Sequence, residues 1–155
     1  SLSKMTDVPP ELIAVIHYRE NTQDYLNGDF QVYLHNGQQL GEKTTVYPED
    51  ILFYDFEAAA KDAIENKRSY IELYNLSSNS KNIVSMICFL EVYNGLGYYK
   101  NGYISPYIYS GTNLYEKGKF VERINEYGKT ESYYDENIKD EQAGCYILLQ
   151  SIMEE

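Results

Sequence analysis

The sequence predicts a single, mainly α-helical domain of the α+β kind, with a small hairpin or loop lobe after the first helix. Three observations carry this. Four stretches, near residues 10–20, 55–64, 82–94 and 140–153, place apolar side chains at helical spacing. Between the first two, Phe30-Gln31-Val32-Tyr33-Leu34 partly alternates, His35-Asn36-Gly37 is a turn signal, and Thr44-Thr45-Val46-Tyr47 returns. A length of 155 residues suits one core, so residues 1–155 form one unit.

Residues 1–8 read as a polar lead-in. Pro9-Pro10 then opens the first helix, with Thr6 or Asp7 as cap, and Leu12, Ile13, Val15 and Ile16 make a broad apolar face. Steps of four from Leu12 reach Ile16 and then Glu20, at the C-terminal end of the buried stripe. Residues 21–27 are polar and irregular, and Pro48-Glu49-Asp50 breaks the lobe. Asp55 to Ile64 is helical by propensity and period, whereas Tyr70 to Tyr74 fits a strand or a short helix. The next helix carries Ile83, Ile87 and Leu90 on one stripe, with Met86 and Phe89 beside it and Ser80 or Asn82 as cap. It stops at Asn94-Gly95, the two residue types that most readily leave right-handed backbone. Tyr103 to Lys119 reads as an ordered aromatic loop with one short helical turn, and Arg123 to Glu136 as a polar surface excursion. The last helix runs from about Asp140, with Cys145, Leu148, Leu149 and Ile152 as its apolar stripe.

Composition narrows the function. A net charge of -11 argues against a nucleic-acid partner, which needs basic patches for phosphate. No run of roughly eighteen apolar residues marks a membrane span, and no basic segment before an apolar one marks a signal peptide. Cys88 and Cys145 sit within apolar helical patterns and read as free core thiols. The chain has 18 Tyr, 5 Phe and no Trp. Tyrosine pairs an apolar face with a polar tip, which suits wet grooves such as those that hold sugars.

Few constellations can carry chemistry. His17 and His35 are the two histidines, and Ser85 and Cys88 lie in an apolar helix, a poor place for a nucleophile. Asn94-Gly95-Leu96-Gly97 follows a helix and lacks the lysine of a phosphate loop. His17, Glu20 and His35 could form a two-imidazole, one-carboxylate metal site, the basis of a metal-dependent hydrolase reading. The other candidate is Glu20 itself. Partial desolvation and the negative end of its helix both favour a protonated carboxyl, which a general acid needs. A glutamate on a solvated helix end beside Arg19 is the plainer alternative.

Several segments resemble, in order, a family of phage and prophage lysozyme-like muramidases. They are His17-Tyr18-Arg19-Glu20, Leu34-His35-Asn36-Gly37, Glu91 to Tyr98, Ser105-Pro106-Tyr107, Tyr115 to Phe120 and Gln142-Ala143-Gly144. More distantly, Glu20 ending a helix and Val92-Tyr93-Asn94-Gly95 are similar to the helix-terminal Glu and the Ala-Tyr-Asn motif of lytic transglycosylases and goose-type lysozymes. The chain departs from transglycosylases in placing Asn21 where they carry Ser.

The resemblance implies a lysozyme-like fold and an enzyme acting on peptidoglycan, a glycoside hydrolase or lytic transglycosylase, with Glu20 as acid/base. His35, Tyr93, Asn94, Tyr98, Ser105 and Tyr107 would hold substrate, and no cofactor or metal is called for. It also implies action at the bacterial cell wall, on glycan strands, whether the protein is secreted, released through a holin or delivered by phage. A repelling negative charge further suggests that wall targeting depends either on the sugar cleft or on a separate wall-binding module. Asp24, Asp29 and Glu91 are candidates for a second carboxylate. A non-catalytic glycan-binding module would use the tyrosine groove without Glu20.

Overall fold

The structure, a computed structural model, describes residues 1–20, 39–45 and 49–154. The chain is mainly helical with one small antiparallel sheet. The expected strand at 30–34 and its turn at 35–37 lie outside the described residues, as does His35. Within them, Lys43 bridges Leu52, and the Thr44 N–H donates to the Ile51 carbonyl at 3.0 Å, so residues 43–45 turn back on 50–52.

The polar lead-in is helical. Leu2–Thr6 forms helix α1, closed by Asp7 at φ 50°, and the buried Thr6 hydroxyl donates to the Leu2 carbonyl at 2.8 Å. The Asp7 carboxylate accepts from Ser78 N–H at 2.8 Å, 71 positions away, instead of capping the next helix. Helix α2 is Pro10–Glu20, with Leu12, Val15 and Ile16 buried. Helix α3, Phe56–Glu65, starts one residue after its cap, because Asp55 accepts from Ala58 N–H at 2.8 Å. The ambiguous 70–74 segment belongs to helix α4, Arg68–Leu73.

Helix α5, Ile83–Asn94, is capped by Asn82, which accepts from Val84 N–H at 3.0 Å and Ser85 N–H at 3.3 Å. Ser80 serves a turn instead, accepting from Ser77 N–H at 2.8 Å. Gly95 ends the helix at φ 98° and ψ 150°, backbone that a side chain strongly disfavours. Two short helices follow, α6 at Gly97–Lys100 and α7 at Pro106–Tyr109, the latter being the expected turn within the aromatic loop.

The segment expected as a surface excursion is a hairpin. Strand β1, Lys119–Ile124, pairs antiparallel with β2, Thr130–Asp135, in a register that sets Phe120 opposite Tyr134. Asn125 makes the turn by accepting from Tyr127 N–H at 2.9 Å and Lys129 N–H at 3.0 Å. Aromatic rings fasten the hairpin to the helices. Tyr103 stacks on Tyr134 at 3.7 Å between centroids, and Tyr98 meets Phe120 edge-on at 4.8 Å.

The last helix, α8, is Cys145–Met153 and begins five residues later than expected from Asp140. Cys145 and Leu149 are buried, whereas Ile152, placed on the apolar stripe by spacing, is exposed. Gly144 precedes it where its N–H donates to the Ser110 carbonyl at 2.9 Å; a Cβ there would sit 2.7 Å from Ser110 N and closer still to the Ile108 carbonyl. Helix α8 packs on α2, α5 and α7, and the core between them is built from Leu12, Ile16, Met86, Phe89, Leu90, Ile108 and Leu149. No helix among the described residues is long and apolar enough to cross a membrane.

Candidate functional site

The C-terminal turn of α2 carries two residues with different fates. Arg19 turns into the protein and is 8% exposed. Its guanidinium pairs with the Asp140 carboxylate, donates to Gln142 Oε1 at 2.6 Å, and lies 5.3 Å from the Tyr107 ring centre. Asp140 is equally buried and accepts from Gln142 N–H at 2.9 Å, with Lys119 Nζ at 3.5 Å. Its own N–H donates to the Tyr115 hydroxyl at 3.0 Å, and its carbonyl accepts from the Ser110 hydroxyl at 2.8 Å. Burial pushes the Asp140 carboxyl upward. The Arg19 hydrogen bond and charge, then the Gln142 N–H and Lys119, more than reverse this and hold it below the usual range.

Glu20 is partly buried and faces an open groove of about 550 Å³. The Tyr107 hydroxyl donates to Glu20 Oε1 at 3.3 Å. Burial holds the Tyr107 phenol well above its ordinary value, so this group stays a neutral donor. Asn94, Gly95 and Gly97 line another wall, and β1 supplies Phe120 and Glu122. Tyr98 lines it too, while its hydroxyl accepts from Phe120 N–H at 2.9 Å and so fixes the strand against the wall. Segments far apart in sequence therefore meet around one carboxylate. Such a groove is open to a polar chain along its length.

Of the expected site residues, Glu20, Asn94, Tyr98 and Tyr107 come together here. Tyr93 and Ser105 do not line this groove. Tyr93 is 7% exposed and belongs to the core, 6.0 Å from the Phe89 ring, one turn along the buried stripe of α5. Ser105 is buried at the start of α7, beside a different groove. Glu91, a candidate second carboxylate, lines that other groove as well, and Asp24 and Asp29 lie outside the described residues.

His17 does not line the Glu20 groove among the described residues. It is 4% exposed, stacks obliquely on Phe56 at 4.5 Å, and burial lowers its pKa. Among the described residues no group of three His, Cys, Asp or Glu side chains could hold a metal. Cys88 and Cys145 are free, and burial keeps the Cys145 thiol protonated.

Arg19, Asp140, Gln142 and Glu122 carry or line the site without having been singled out for it by the sequence. Arg19 and Asp140 stand 121 positions apart, and nothing local marks them as partners. No protein-family model, curated protein or solved structure matches this chain.

Proposed function

We propose that the groove around Glu20 cleaves the β-1,4 bond between N-acetylmuramic acid and N-acetylglucosamine in peptidoglycan, with Glu20 as general acid/base. The observation that carries this is one carboxyl group, at the end of a helix, on the wall of an open groove and in contact with a neutral tyrosine hydroxyl. Protonation of the leaving oxygen by such a group is what glycosidic cleavage requires. Tyr107 and the Arg19–Asp140 pair fix the turn that bears Glu20, while Asn94 and Tyr98 form polar and aromatic walls for sugar rings. Glu122 on β1 borders the same groove and is the described carboxylate suited to activate water or stabilise the sugar cation. The substrate then is the glycan strand and the place of action the bacterial wall. The family resemblance of the sequence points the same way.

Digestion of purified peptidoglycan followed by mass spectrometry tests it. New reducing ends mean hydrolysis and anhydro ends mean transglycosylation. Absence of product would leave a glycan-binding module and overturn the enzyme reading. Glu20→Gln is expected to keep the melting temperature and lower turnover by at least about 10²-fold, the usual size of a general-acid contribution.

A further inference from the structure

The corner between α5 and α6 separates the Glu20 groove from a second one of about 590 Å³. We infer that this second groove is a binding site for a small organic cation with an alkylated ammonium head, held by Glu91 and a set of tyrosine rings. Five tyrosines line it, Tyr70, Tyr74, Tyr99, Tyr103 and Tyr109, and Glu91 is the one charged side chain among its described lining. Glu91 has no hydrogen bond or ion pair among the described residues, and burial raises its pKa. Glu91 and Tyr109 line the same groove, and burial and the charge of Glu91 raise the Tyr109 phenol. Tyr103 is held in place by its stacking on Tyr134.

A half-buried carboxylate with no cation beside it is costly, and a ligand that brings a positive charge offsets the cost. Tyrosine faces attract cations through the ring quadrupole, most strongly where water is partly excluded. An alkylated ammonium fits better than a bare one. Its methyl groups match the apolar lining supplied by Ile87, Val92 and Leu96, whereas a bare ammonium is strongly hydrated and loses more on leaving water. A neutral aromatic ligand would use the rings and leave Glu91 uncompensated.

Choline and its uncharged isostere 3,3-dimethyl-1-butanol, titrated into the intact protein by calorimetry or NMR, distinguish these cases. Choline is expected to bind at least about tenfold more tightly than the isostere, and Glu91→Gln and Tyr99→Ala each to weaken it several-fold. Tyr99 is 72% exposed, so its truncation should spare the fold and gives a second variant if Glu91→Gln unfolds. Equal binding of the two probes, choline binding undiminished in Glu91→Gln, or no choline binding at tens of millimolar would each overturn the assignment. Since neither probe touches Glu20, failure here leaves the glycan reading standing, and the converse also holds.

Discussion

Two grooves of nearly equal size flank one helix corner, with Tyr98 lining one and Tyr99 the other, yet they handle charge in opposite ways. In the first, charge is tied down. The buried Arg19–Asp140 pair is continued outward by Lys119 and the exposed Gln142, and Glu20 has the Tyr107 hydroxyl beside it. In the second, Glu91 stands without a cation among the described residues, between apolar and aromatic walls. A carboxylate held in a braced polar wall is positioned for a reaction, whereas one left uncompensated awaits a partner. The difference is one of surroundings, since both are glutamates at or near a helix end.

The sharpest way to break the contrast is to remove a charge from each side. Arg19→Met leaves Asp140 buried with Lys119 alone at 3.5 Å and is expected to cost about 3 kcal/mol of stability, read from denaturant unfolding. Glu91→Gln removes a charge that burial opposes, so its melting temperature at neutral pH should hold or rise. A comparable loss in both variants would erase the distinction.

Acid titration sharpens it through sign. The folded pKa of Asp140 is lowered, so its contribution is complete above its unfolded value, about 3.9, and is lost as pH falls through the folded one. That of Glu91 is raised, so stability declines as pH climbs from its unfolded value, about 4.3, to the folded one, and is flat above. Asp140→Asn should therefore flatten the acid limb of the stability curve, and Glu91→Gln should remove a decline on its higher-pH side. Unfolding followed from pH 2 to 7 measures both.

Within the first groove, Tyr107→Phe deletes the hydroxyl beside Glu20 and keeps the ring over which Arg19 lies. At 3.3 Å this is a long hydrogen bond, so turnover is expected to fall by about fivefold, near 1 kcal/mol, with little change in melting temperature. The smallest effect concerns the whole molecule. With a net charge of -11, approach to an anionic wall is opposed, and activity on intact cells should rise by a few-fold as moderate salt screens the repulsion. A steep fall over the same range would contradict this.

Where structure depends on neighbours in sequence, the residues announce it. Asn82 as a cap, Gly95 as a stop and Glu20 at the end of an apolar stripe were all legible, because each acts within one or two helical turns. Tyr93 continues the Met86–Phe89 side of its helix into the core, whereas the resemblance implied a place for it in the groove. The hairpin was hidden for a physical reason. Its first strand is partly buried over three residues and exposed over the next three, so no face alternates cleanly, and its hold on the body comes from Tyr98 and Tyr103 far upstream. The Arg19–Asp140 pair had no local signature at all.

That pair has a consequence in time as well as in space. A ribosome adding about 5–20 residues per second takes on the order of 10 s to go from Glu20 to Gln142. Throughout that interval the helix bearing Glu20 exists, or can exist, while Asp140, Gln142 and the β1 wall have yet to emerge. The nascent chain is thus without an assembled groove until its distant half is made.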